Sequence, residues 1–251
     1  MSIIHDTHDT HDTHKSLKDS FGQYRHEYKY IVSAAELELI KSRLTGLMSK
    51  DPHTSPDGTY NIRSIYFDDY ENSCYYDNEN GVDPREKFRI RIYDRSSRRI
   101  SLELKKKING KCLKLACPLT LEQYNIIAKG GCVPISADNP EILNKLTLQY
   151  LMKGMKPKII VEYDRMPWIY EEGNVRVTFD KNVRSSTELS GFFDPDIPVR
   201  CIMPPGWHLL EVKWDEFLPD FIYKNTMINN LEQTAHSKYY LCRRFSILGG
   251  K

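Results

Sequence analysis

The stretch from Pro84 to Arg95, PREKFRIRIYDR, constrains the fold of this chain more than any other. Cations stand at Arg85, Lys87, Arg89, Arg91 and Arg95, two or four residues apart, with Phe88, Ile90 and Ile92 between them. Side chains two apart on a strand share a face. Such a strand carries a column of positive charge on one face and a mostly apolar surface on the other. The column repels itself and persists only where water or a polyanion compensates it.

Four further segments repeat the pattern. HEYKY sets Glu27 and Lys29 against Tyr28 and Tyr30, and ISLELKKK sets Glu103 and Lys105 against Leu102 and Leu104. HLLEVKW sets Glu211 and Lys213 against Leu210, Val212 and Trp214. VRVTFD sets Arg176, Thr178 and Asp180 against Val175, Val177 and Phe179. A flat sheet would expose all five charged faces. A closed barrel gathers them inside, with helices covering the apolar outside. An unpaired buried ion costs several kcal/mol, so the barrel must enclose a water-filled tunnel. Such a tunnel suits a polyanion and a divalent metal, with cations on phosphate oxygens and carboxylates on the metal.

The chain has 251 residues, 40% of them apolar, which is enough for one large domain. The net charge of +2 is too small for a general nucleic-acid binder and fits a local anion site. The six cysteines form no CxxC pair, so zinc ligation is set aside. With no signal-peptide pattern they read as reduced thiols of a cytoplasmic protein. No apolar run reaches the ~18 residues of a membrane span, so membrane association would require a partner protein.

Residues 1–20 read as a disordered tail. HDTHDTHDTH places His5, His8, His11 and His14 three apart but has no apolar residue to pack. Residues 21–245 read as one domain of about eight strands and four or five helices. Strands are expected over 24–32, 60–68, 87–94, 99–107, 111–117, 157–168, 174–183 and 207–214. A helix follows Ser33, whose capping box with Glu36 precedes Leu37, Ile40, Leu44 and Leu47. Further helices are expected over 120–129, over 139–152 with Asn139 as cap, and within 219–243, whereas 71–84 reads as loop.

Eight motifs in order, YRHEYKY, IRSIYFDD, KFRIRIYD, SLELKKK, YDRMPW, VRVTFD, LLEVKW and SKY, run from Tyr24 to Tyr239. Together they resemble the VTC domain, the polyphosphate-polymerase domain of the triphosphate tunnel metalloenzyme superfamily. The resemblance implies an α+β fold, an eight-stranded antiparallel β-barrel tunnel with helices packed outside. It implies a metal-dependent enzyme, with Mn2+ or Mg2+, that moves the terminal phosphoryl group of ATP onto inorganic polyphosphate. By motif, Arg89, Arg91, Arg165 and Lys213 would act on the transferred group. Lys29, Lys105, Lys114, Arg176 and Lys238 would bind phosphate, and Glu211 would hold the metal. Arg25 stands where the wider superfamily often has a first Glu.

Phosphoryl transfer is catalysed by positioning and charge neutralisation, and a polyphosphate end is already an anionic nucleophile that needs no general base. Two alternatives remain open on the sequence: a triphosphate or polyphosphate hydrolase in the same tunnel, and a non-catalytic polyphosphate-binding module. Glu103 is expected to orient cations instead of binding metal, Arg85 and Lys87 to guard the tunnel mouth, and Arg95 to sit in an exposed turn.

Overall fold

The computed structural model describes residues 24–228, 231–235 and 237–248. The His-rich tail lies outside the described residues. Ten strands form one sheet: β1 (His26–Ser33), β2 (Ser49–Lys50), β3 (Tyr60–Asp68), β4 (Arg85–Tyr93), β5 (Ile100–Ile108), β6 (Lys111–Leu119), β7 (Lys156–Tyr170), β8 (Val175–Ser186), β9 (Arg200–Cys201) and β10 (Trp207–Trp214). The eight long strands run in the order β1-β10-β8-β7-β3-β4-β5-β6, each antiparallel to its neighbours. The short β2 and β9 pair with β7 and β8. The sheet curls until its two edges meet. Arg25, just before β1, and Cys112 of β6 exchange both backbone N–H···O bonds at 2.9 Å. The result is the expected antiparallel tunnel, closed between β1 and β6 through this single bridge.

Strand alternation sorts the side chains. On β4, Phe88, Ile90 and Ile92 are at most 2% exposed and join the outer core, while Lys87, Arg89 and Arg91 line the interior. Among the described residues, six helices surround the barrel: α1 (Ala34–Leu44), α2 (Ser73–Glu79), α3 (Leu121–Ala128), α4 (Glu141–Lys153), α5 (Asp220–Thr226) and α6 (Lys238–Leu248). Leu37, Ile40 and Leu44 of α1 and Ile222 of α5 pack on the apolar faces of β1, β8 and β10. A second cluster joins β3, β4, β5 and β7 to α2, α3, α4 and α6. Each fully buried Ile, Leu or Phe stabilises the fold by ~1.5–3 kcal/mol, so the apolar outer faces hold the barrel shut around its charged lumen.

Local signals act as expected at several places. Ser33 and Glu36 form the capping box of α1, and Thr120 and Gln123 form that of α3. Asn109 and Gly110, both at positive φ, turn β5 into β6.

Three expectations are corrected. The 71–84 segment contains α2, because Asp68 and Asp69 accept the backbone N–H groups of Ser73, Cys74 and Tyr75 and so cap a helix without hydrophobic periodicity. Helix α1 stops at Leu44, leaving Leu47 exposed. Pro140 caps α4, since the Asn139 side chain bonds Pro134 and Asn144 instead. The C-terminal region is helical as expected, in two helices, with Gln233 and Thr234 between them pairing to β1.

Arg95 is a further correction. Its backbone is in the turn, but its guanidinium meets Glu162 at 2.6 Å. Glu162, 1% exposed on the outer face of β7, also takes Arg63 at 2.6 Å and Arg184 at 2.7 Å. Arg63 donates onward to the carbonyls of Phe192 and Asp194, tying that loop to the barrel. Burial opposes the Glu162 charge, yet the hydrogen bonds from Arg184 and Arg95 and the charge of Arg63 bring its carboxyl down to about 2. A depressed carboxyl stabilises the fold above its unfolded value near 4.5 and loses that contribution as pH falls towards 2. Glu162→Gln is expected to lower stability by about 3 kcal/mol at pH 7 and to flatten the stability profile between pH 4.5 and pH 2, measured by urea unfolding. An unchanged profile would show that the cluster carries none of the acid sensitivity.

Candidate phosphate-binding site

The lumen is a cavity of about 640 Å³. Every residue singled out from the sequence lines it: Lys29, Arg89, Arg91, Lys105, Lys114, Arg165, Arg176, Glu211, Lys213 and Lys238. They come from β1, β4, β5, β6, β7, β8, β10 and the first turn of α6. Their convergence follows from the period of two on each strand and from the curl of the sheet.

Four carboxylates organise the cations. Glu103 accepts Arg89 Nε at 2.7 Å and Nη2 at 2.5 Å, with Lys114 at 3.6 Å and Arg91 at 3.7 Å. Glu27 meets Lys105 at 2.5 Å, Lys29 at 3.2 Å and Lys213 at 3.4 Å. Glu211 meets Lys238 at 2.5 Å, Lys213 at 2.7 Å and Arg165 at 3.4 Å. Asp180 accepts both nitrogens of the Arg165 fork at 2.7 Å and a close contact from Lys238. Burial opposes all four charges. The facing cations outweigh it and hold these carboxyls below the ordinary range.

Arg89 and Arg91 differ. Arg89 is committed to Glu103 and also donates to the Tyr66 hydroxyl at 2.8 Å. Arg91 hydrogen-bonds Tyr93 and reaches Tyr163 at 3.4 Å and Ser64 at 3.5 Å, but its nearest carboxylate, Glu103, is 3.7 Å away. Its planar fork is the one available for bidentate phosphate contacts.

Sequence reasoning assigned no role to Asp180, Tyr66 or Tyr163. Asp180 alternates with Arg176 in VRVTFD, so its face was legible. The two tyrosines carried no such signal, because aromatic residues on strands read as core. Tyr163 is nonetheless the surface over which Arg165 and Lys238 lie, at 5.3 Å and 4.8 Å.

Among the described residues, no group of three or more His, Cys, Asp or Glu is arranged to hold a metal. Glu211 is a single carboxylate facing the lumen beside cations. This donor set fits a divalent ion that draws most of its oxygens from phosphate and water, as Mg2+-type ions do, and not an all-protein cage.

An antiparallel barrel with a cation-lined, carboxylate-braced lumen defines a triphosphate tunnel protein. The VTC domain model matches residues 24–246, and the chain belongs to the VTC domain family. No curated protein sequence matches it. Similar solved structures include the PH1819 protein of Pyrococcus horikoshii OT3, at 15% identity and TM-score 0.48, covering 91% of this chain and 100% of that one. A Hippeastrum protein described as a candidate adenylyl cyclase with a dominant triphosphatase activity has 13% identity and TM-score 0.48, with 88% and 95% covered. A candidate adenylate cyclase of Bacillus halodurans has 15% identity and TM-score 0.47, with 81% and 86% covered. Among the described residues, no helix is long and apolar enough to cross a membrane.

Proposed function

We propose that this protein is a metal-dependent polyphosphate polymerase, which transfers the terminal phosphoryl group of ATP to a growing inorganic polyphosphate chain and releases ADP. The carrying observation is the charge balance of the lumen. Eleven Lys and Arg line the cavity with Glu27 and Glu211. Counting also Glu103, Asp180 and Asp215, which brace those cations, the excess is eleven less five, or six positive charges. One triphosphate brings about four negative charges. The remainder suits a second polyanion beside it, which a polymerase requires and a simple triphosphatase does not.

The residues divide the work. Arg91 clamps the transferred group, Arg165 and Lys213 neutralise charge that develops on its oxygens, and Arg89 holds the clamp in place through Glu103. Lys29, Lys105, Lys114, Arg176 and Lys238 hold the rest of the two chains. Glu211 would hold Mn2+ or Mg2+, which when bound would supply charge neutralisation to the phosphate groups. The attacking oxygen is already anionic, so none of the braced carboxylates has to accept a proton.

Incubation with ATP and Mn2+ tests the reading. Long polyphosphate with ADP is the expected product. Free phosphate without polymer would replace the reading with a hydrolase, and binding without turnover would replace it with a binding module.

A further inference from the structure

Six lysines line the lumen, and five have a carboxylate oxygen within 4 Å: Lys29, Lys105, Lys114, Lys213 and Lys238. Among the described residues Lys87 is the exception. Its Nζ donates to Asn78 Oδ1 at 2.7 Å and Ser237 Oγ at 3.2 Å, and lies 5.3 Å from the centre of the Tyr239 ring. Lys87 also lines a second chamber, of about 340 Å³, that shares Glu27, Lys29, Lys105 and Ser237 with the main one. It therefore stands at the neck between two chambers and is built into both.

The groups around it supply no counter-charge. Arg85 of β4, Lys29 of β1 and Lys105 of β5 face it as cations. Glu27 is engaged by Lys29, Lys105 and Lys213. From α2 come the Asn78 amide and the Cys74 thiol, which burial and Asp68 push up so that it stays uncharged. From α6 comes the face of Tyr239, whose hydroxyl is bonded to Asp68. Burial, reinforced by the charges of Arg85, Lys29 and Lys105, brings the Lys87 ammonium down to about 7.

We propose that Lys87 is a further phosphate-binding residue, at the neck between the two chambers, and that it binds phosphate together with a proton from solvent. The inference rests on the polyanion-binding reading of the tunnel but not on polymerisation. Phosphate oxygens bring the anion that the neck lacks, and they favour the ammonium over the amine. The sign follows. Well below pH 7 the amine is already protonated and binding takes up no proton there. Above pH 7 each unit of pH weakens this contribution by up to about tenfold, until the pH passes the value of the ammonium in the complex.

Calorimetric titration of metal-free protein with inorganic tripolyphosphate at pH 8, in two buffers of different ionisation enthalpy, tests this. Wild type is expected to take up about one proton more than Lys87→Arg, whose guanidinium stays charged throughout. The proton equilibria of the ligand and of the other lysines are common to both proteins and cancel in the difference. Lys87→Gln is expected to lose the same uptake and to bind at least about tenfold more weakly at pH 6.5, so either variant suffices should the other fail to fold. Equal proton uptake by wild type and variant overturns the role of Lys87 and leaves the polymerase reading standing. Failure of the wild type to bind tripolyphosphate overturns both.

Discussion

Glu211→Gln is expected to lower metal-dependent turnover of ATP by about 10³-fold, while tripolyphosphate binds the metal-free variant as tightly as the wild type or more tightly. A factor of 10³ is about 4 kcal/mol of transition-state stabilisation, the scale of metal neutralisation of a phosphoryl oxygen. The binding arm has the opposite sign, because removing one negative charge raises the positive excess of the lumen. The fold should survive the change. Lys238 and Arg165 keep Asp180, and Lys213 keeps Glu27 at 3.4 Å. Gln also preserves the shape of the side chain. Turnover with Mn2+ and calorimetric titration without metal measure the two arms. Wild-type turnover would remove Glu211 as the metal-holding residue. A loss of metal-free binding would recast it as an organiser of Lys213 and Lys238.

Arg91→Ala and Arg89→Ala should differ in kind, although the two side chains project from the same face of β4. Arg91 comes no closer than 3.7 Å to its carboxylate neighbour Glu103. Its loss is expected to weaken tripolyphosphate binding by about 10²–10⁴-fold, the worth of two charge-assisted hydrogen bonds at ~1.5–3 kcal/mol each. Stability should change by less than about 1 kcal/mol, because Glu103 retains Arg89 and Lys114. Arg89→Ala removes the main partner of Glu103, which is 2% exposed. It is expected to destabilise the fold by about 3–5 kcal/mol, the cost of leaving a buried charge without its mate. Calorimetry and urea unfolding on both variants separate binding from stability. If Arg89→Ala weakened binding without destabilising the fold, and Arg91→Ala did the reverse, the clamp assignment would be exchanged.

Much of the barrel was legible because each strand carries its own alternation. Tyr60–Asp68 and Trp207–Trp214 have the observed bounds, and Asn109–Gly110 marks the observed turn. Segment α2 was not legible. Its amphipathic pattern is weak, and its cap is built from Asp68 and Asp69, which belong to the end of β3. Arg63 and Arg95 were equally hidden, since a lone arginine on a strand or in a turn gives no sign of a carboxylate that arrives about 70–100 residues later in the chain.

The sequence by itself determined that several strands have one charged and one apolar face, because side-chain direction on a strand has a period of two and needs no partner to define it. From that came the barrel and its wet lumen, while Lys114, Arg165 and Lys238 were reached through the motifs shared with the VTC domain. The tertiary structure decided which cation each carboxylate engages. Those pairings depend on the register of strands far apart in the chain: β1 on β10 joins Lys213 to Glu27, β4 on β5 joins Arg89 to Glu103, and the return of α6 brings Lys238 to Glu211. It thereby left Arg91 loosely held and Lys87 without a carboxylate, which no pattern of residues along the chain could show.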